Sequence, residues 1–271
     1  MFITRIITAA ILLPLFVGGM FFLPAQWWAA ALIPLALAGA WEWGTLAGFG
    51  RSGLWGFSLL VLASGLIVLV AVLNGGMNTA KQGVLLISSL FWVACAPLWL
   101  WRNWRTRHPL PMIVAGWTLL VPTWVALVSL QEMPWVLLAV LGIVWVADSA
   151  AYFAGRLWGR RKLAPAISPG KTWEGVAGAA IAVAVYHALV WNFGFSRLSP
   201  AVGLAAVLLV AVLFPLSILG DLFESWIKRQ AGVKDSGRLL PGHGGVLDRI
   251  DALTSTLPLA ALVIPLMMPV S

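Results

Sequence analysis

The sequence predicts an all-α polytopic integral membrane protein of about nine transmembrane helices, with a cytoplasm-facing polar site near its C-terminal helices. Three observations carry that expectation. Mean hydropathy is +0.96 and only 10% of the residues are charged, far from the usage of soluble globular domains. Apolar runs of membrane-spanning length recur from one end of the chain to the other. Finally, five of the nine acidic residues fall in one stretch, at Asp221, Glu224, Asp235, Asp248 and Asp251.

Taken in order, the spans are expected at 1–23, 27–48, 54–73, 83–101, 111–130, 134–155, 173–193, 201–222 and 252–268. The first follows Arg5 and lacks an A-x-A cleavage site, so it reads as a helix rather than a signal peptide. Short joins at 51–56 and 74–82 look like plain connections. Residues 1–110 carry no evident chemistry and read as a scaffold of N-terminal helices. Residues 111–271 hold the C-terminal helices and two candidate catalytic loops, 156–175 and 221–251.

Orientation follows from the basic residues. Of the 17 Lys and Arg, only Lys81 and Arg197 fall in odd-numbered loops, which leaves fifteen for the N-terminus and even-numbered loops. The positive-inside rule then puts the N-terminus and residues 221–251 in the cytoplasm and Ser271 on the far side. Many of the 17 tryptophans, Trp27, Trp28, Trp55, Trp99, Trp101, Trp135 and Trp173 among them, lie at helix ends, where they serve as interfacial belt and packing. One cysteine, Cys95, excludes internal disulfides and thiolate zinc clusters, and three scattered histidines argue against a His-based zinc site. His187 is expected to hydrogen-bond between helices and His108 to be solvated. So apolar a chain is not a nucleic-acid binder.

Acids within membrane spans are costly, about 2.5–3.5 kcal/mol at mid-helix on insertion scales. Glu42, Asp148 and Asp221 each precede the nearest cytoplasmic basic residue by seven to nine positions. All three therefore lie about 10–14 Å inside the cytoplasmic end, which suggests a cavity open to that side. For Glu42 the competing expectation is neutralisation by a snorkelling arginine.

The stretch 221–251 balances its acids with Lys228, Arg229, Lys234, Arg238 and Arg249. A helix over 217–228 puts Asp221, Glu224, Ser225 and Lys228 on one face. Asp248 and Asp251 repeat the i, i+3 spacing in the first turn of the final helix, where the helix dipole also favours acids. Between them, Pro241-Gly242-His243-Gly244-Gly245 is a loop that lets backbone approach a ligand. Paired acids and a Gly/Lys-rich loop supply oxygen ligands for a hard divalent cation and donors for phosphate. Upstream, Ser168-Pro169-Gly170-Lys171-Thr172 is not a Walker A site, because Pro165 stands where its first glycine belongs. It still places a lysine and hydroxyls at a helix N-terminus, a good position for phosphate.

At this point a resemblance is specific. Ser225-x-Ile227-Lys228-Arg229-x4-Lys234-Asp235-x-Gly237-x2-Leu240-Pro241-x-His243-Gly244-Gly245-Val246-x-Asp248-Arg249-Ile250-Asp251 resembles the signature of the phosphatidate cytidylyltransferases (CDP-diacylglycerol synthases). Asp148-x3-Tyr152-x2-Gly155-Arg156, together with 168–175, resembles that family's second recurring block. The resemblance implies phosphatidate and CTP as substrates, CDP-diacylglycerol and pyrophosphate as products, a place in phospholipid biosynthesis, and Mg²⁺ as the metal, with a second cation as an option. It also implies a bacterial-type inner (plasma) membrane.

The expected catalytic set is Asp221, Asp248, Asp251 and Lys171. Asp221, Asp248 and Asp251 are expected to hold the metal, with Glu224 behind them. Substrate binding is expected at Ser168, Lys171, Thr172, Ser225, Lys228, Arg229, Lys234, Arg238, His243, Gly244, Gly245 and Arg249. Membrane lipids and a second copy of the chain are the other expected partners, and nucleic acid is not. The alternative is an ion- or proton-coupled carrier built on Glu42, Asp148 and Asp221, which leaves the Lys/Gly-rich loop unexplained.

Overall fold

A computed structural model describes residues 2–73, 78–240, 242 and 244–268. Pro241, His243 and Ser271 lie outside the described residues. The helices are α1 (Phe2–Phe22), α2 (Ala25–Ala31), α3 (Ile33–Leu46), α4 (Arg51–Leu73), α5 (Asn78–Leu90), α6 (Ala96–Trp101), α7 (Pro109–Leu130), α8 (Pro134–Trp158), α9 (Trp173–Val190), α10 (Pro200–Gln230) and α11 (Leu247–Met267). A π-helical turn at Phe91–Cys95 joins α5 to α6, and another at Trp191–Phe195 prolongs α9.

Among the described residues eight segments are long and apolar enough to cross a membrane, with α2–α3 and α5–α6 each forming one of them. The first expected span is helical, but its described apolar part, Ala10–Phe22, is shorter than the rest. The chain is an integral membrane protein. Trp27, Trp55, Trp101, Trp135 and Trp173 are exposed at helix ends, as a belt requires, whereas Trp28 and Trp99 are buried and donate to the carbonyls of Leu127 and Trp104.

Two helices run beyond the expected membrane spans, as the helical spacing over 217–228 and the place of Asp248 in the final helix anticipate, and both extensions matter for the site. α10 does not stop at residue 222 but continues to Gln230, and α11 begins at Leu247 rather than 252. Phe223, Trp226 and Ile227 are buried, so apolar packing carries the helix onward past its membrane-length stretch. At 31 residues α10 is about 46 Å long, longer than the roughly 30 Å of hydrocarbon in a bilayer. The connecting loop is thus only 231–246, and the acids flanking it sit on helices.

A second difference is the basic stretch after α8. It contains a β-hairpin, β1 (Lys162–Ala164) paired antiparallel with β2 (Ser168–Thr172). Among the described residues the fold is therefore helical apart from one small sheet. The carboxylate of Glu174 accepts from the backbone N–H groups of Arg160 and Arg161 and ties the base of the hairpin to α9.

Hydrogen bonds show which loops meet. Thr106 N donates to Gln230 Oε1 (3.1 Å), Trp226 Nε1 to Trp104 O (3.2 Å), and Arg229 Nε to Ile167 O (3.2 Å). The three basic loops thus share one end of the bundle. At the opposite end Gln131 Nε2 donates to Leu23 O (2.8 Å). The two halves of the chain share one core: Phe223 of α10 stands edge-on to Phe91, Trp92 and Trp99, with centroids 5.5–5.6 Å apart. α10 and α11 touch at Gly220, where a β-carbon would lie 2.6 Å from Asp251 O, and Ser255 Oγ donates to Leu216 O (2.7 Å). That close approach brings the acids of the two helices together.

Candidate active site

Two groups of charged side chains follow one another along α10 at the basic end of the bundle. The first lies in an open cleft of about 430 Å³ between α8, β2, α9 and α10. Lys171, on β2, puts Nζ 2.5 Å from Asp221 Oδ2, and the two side chains are 24% and 28% exposed. Ser225, one turn on, donates to Asp221 Oδ1 (3.1 Å) and fixes the carboxylate's rotamer. Thr172 is the N-cap of α9, its hydroxyl accepting from Gly175 N (3.1 Å). Strand pairing and cap together hold Lys171 over the cleft. Ser168 and Gly170 line the same cleft, as do Asp148, Tyr152 and Arg156 of α8. Arg156 donates to the Tyr152 hydroxyl (2.9 Å). Asp148 thus joins Asp221 in one cavity, as their matched depth predicts.

The second group is closed. Lys228 is buried between two carboxylates, with Nζ 2.6 Å from Asp248 Oδ1 and 3.3 Å from Glu224 Oε2. Asp248 uses its other oxygen on the loop, accepting from Gly245 N (2.8 Å), Ser236 N (2.9 Å) and Ser236 Oγ (3.1 Å). Gly244, at φ +84°, allows the turn, and a β-carbon there would meet Asp248 Oδ2. Glu42 enters from α3, far away in sequence. Its Oε1 accepts from Val246 N (3.0 Å), and its Oε2 accepts from Leu247 N and Ser236 Oγ (both 2.9 Å). No snorkelling arginine is needed, because backbone N–H groups at the start of α11 satisfy this carboxylate.

The expected site residues therefore separate. Ser168, Lys171, Thr172, Asp221 and Ser225 gather at the open cleft, and Glu224, Lys228, Asp248, Gly244 and Gly245 at the closed network. Asp251 stands between them on α11, within electrostatic reach of Asp148, Asp221 and Glu224. Lys234, Arg238 and Arg249 are exposed, and Arg249 lies within electrostatic reach of Asp148. Arg229 is spent on structure, donating to the carbonyls of Ile167 and Val233. His187 sets its ring near Trp191 on its own helix instead of bridging two helices, and His108 is an exposed N-cap of α7.

The residues expected to hold a metal fit an ion unequally. Among the described residues no three His, Cys, Asp or Glu side chains form a group that could hold an ion. Asp248 does not fit as an open ligand, since Lys228 and the loop engage both of its oxygens. Glu224 fits better, because its buried carboxylate meets no donor other than Lys228 at Oε2, a costly state for a carboxylate with only one cation beside it.

Fold and site together define an integral membrane enzyme whose charged cleft opens at one end of a helical bundle. The chain belongs to the cytidylyltransferase family, which matches residues 3–267. It is 40% identical over 269 residues to the phosphatidate cytidylyltransferase of Pseudomonas aeruginosa, covering 95% of this chain and 94% of that one. The Haemophilus influenzae protein of that name is 34% identical over 275 residues, covering 94% and 95%. The Brucella suis protein is 36% identical over 265 residues, covering 93% and 89%.

Proposed function

We propose that this protein is a phosphatidate cytidylyltransferase, making CDP-diacylglycerol and pyrophosphate from CTP and phosphatidate. The observation that carries the reading is the Lys171–Asp221 pair in a cleft wide enough for a nucleotide. Beyond it, a narrow apolar furrow of about 90 Å³ lies between α8, α9 and α10, lined by Ile143, Tyr186 and Leu213 among others. A phosphorylated lipid needs both, a cation for its head and an apolar furrow for its chains. No observation favours the carrier alternative.

The phosphate of phosphatidate is largely dianionic at pH 7, since the second pKa of a phosphomonoester is about 6. No general base is required. One of its oxygens attacks the α-phosphorus of CTP, the new P–O bond forms as the α–β bridging P–O bond breaks, and pyrophosphate leaves with the bonding pair. The obstacle is electrostatic, because two polyanions must meet. Lys171 exchanges Asp221 for a phosphate oxygen and carries positive charge to the reacting centre. The hairpin and the Thr172 cap fix its position. Asp221 and Glu224 are the residues that would hold Mg²⁺, Asp221 being released as Lys171 turns to phosphate, and Asp251 lies beside them. The bound ion would neutralise phosphate charge and polarise the reacting oxygens. Asp248 serves by fixing Lys228 and the loop. The fifteen-to-two bias in basic residues supports a cytoplasmic site in a bacterial inner membrane, where CTP is available.

The test supplies α-phosphate-labelled CTP to the purified protein with Mg²⁺ and phosphatidate vesicles. Label should enter the organic-extractable lipid, with one pyrophosphate released per lipid labelled, and diacylglycerol should not replace phosphatidate. Absence of labelled lipid from folded protein would overturn the assignment.

A further inference from the structure

The N-terminal helices look like scaffold, yet α3 sends one carboxylate into the catalytic half. Glu42 is buried, 6% exposed, and accepts three hydrogen bonds, all from the stretch 236–247. Two come from backbone N–H groups at the start of α11, where an unpaired donor would be costly and the helix dipole favours an anion. The third comes from the Ser236 hydroxyl, which also lies 3.1 Å from Asp248 Oδ2. Space is reserved for this contact: a β-carbon on Gly237 or Gly245 would collide with the Glu42 carboxylate. From Glu42 a short chain of contacts runs through Ser236 to Asp248, then to Lys228, then to Glu224 beside the cleft acids.

We propose that Glu42 is a positioning residue for cytidylyl transfer, a remote cap that sets the 236–247 loop and the first turn of α11 so that Asp248 and Asp251 stand in register with α10. The proposal rests on the function assigned above. Glu42 touches neither substrate, and its effect passes through the loop. The geometry is demanding. A glutamine cannot replace it, because whichever way its amide turns, the NH₂ meets another donor, Val246 N–H on one side or Leu247 N–H on the other. Glu42→Asp keeps the charge but withdraws it by one methylene.

The experiment compares wild type, Glu42→Gln, Glu42→Asp, Ser236→Ala, the Glu42→Gln/Ser236→Ala double variant, and Trp28→Phe as control. Trp28→Phe removes a buried hydrogen bond to Leu127 O in the same half of the protein without touching the loop. Turnover, Tm in detergent and amide hydrogen exchange are measured for each. Glu42→Gln should lower kcat about 10²-fold, the scale of a misplaced catalytic geometry, with KM for CTP little changed. Glu42→Asp should fall between it and wild type. Exchange should accelerate at Val246 and Leu247 and remain unchanged in α7. Ser236→Ala should add little to Glu42→Gln, as expected for members of one chain of contacts. Trp28→Phe should lower Tm yet keep kcat per folded molecule.

Wild-type kcat in Glu42→Gln, or a loss tracking Tm as in the control, would overturn the proposal. Unaltered exchange at 246–247 would overturn it too, even if wild type made no CDP-diacylglycerol. That last outcome in wild type would instead remove the functional assignment, leaving the exchange data to decide whether Glu42 holds the loop.

Discussion

Two lysine–carboxylate pairs are anchored seven residues apart on α10, one at Asp221 and the other at Lys228, and they are built in opposite ways. Lys171 and Asp221 meet across the cleft with about a quarter of each side chain exposed. Lys228 and Asp248 are 10% and 7% exposed and belong to a network that includes Glu224, Ser236, Gly245 and Glu42. A pair at the edge of an open cleft can be reached by a phosphate, which takes over the lysine as the carboxylate turns away. In a buried network, loss of one member strands the others. One lysine is placed to change partners during turnover, and the other is placed so that it cannot.

The largest expected effect is on the closed pair. Lys228→Ala leaves Glu224 and Asp248 buried without their cation, which costs about 3–5 kcal/mol for a broken buried pair. Thermal denaturation in detergent should show a large fall in Tm, or the protein should fail to accumulate. A normal Tm would mean that water reaches this pair and that it is not closed.

Next comes the open pair. Lys171→Ala should leave Tm unchanged and reduce kcat/KM about 10²–10³-fold, the scale of one lost electrostatic donor. Lys162→Ala, exposed on β1, should stay near wild type in the same lipid-labelling assay. Equal, small effects would reduce Lys171 to one more basic residue at the membrane surface. The smallest effect belongs to the cap that holds Lys171 in place. Thr172→Ala removes the bond to Gly175 N and should cost about 1 kcal/mol, read as a modest drop in Tm with a partial loss of turnover.

These distinctions were only partly legible in the sequence. The i, i+3, i+4, i+7 spacing of Asp221, Glu224, Ser225 and Lys228 predicts their shared helical face, and the structure has it. What spacing could not tell is which cation each acid meets, because Lys171 and Asp248 arrive from other elements. The hairpin stayed hidden since its strands are three and five residues long and contain Pro169 and Gly170, residues that weaken a strand pattern. Glu42 was visible as a misplaced acid but not as a cap. Two of its three donors are backbone N–H groups more than 200 residues away, and no side-chain pattern marks such a partner. Asp248 read as a metal ligand because its spacing from Asp251 suits one. Only the folded loop reveals that both of its oxygens are taken.

The most direct test of this division measures Tm and turnover together for Asp221→Asn and Asp248→Asn. The substitution is the same in each, an oxygen exchanged for an NH₂ at nearly constant volume. Asp221→Asn should keep the wild-type Tm and lose nearly all turnover, because only the open, exchanging pair is affected. Asp248→Asn should lose turnover and Tm together, since its new NH₂ must face either Lys228 or the loop's N–H groups. Matching Tm values for the two variants, with both folded and inactive, would contradict the account and return Asp248 to the reacting centre beside Asp221.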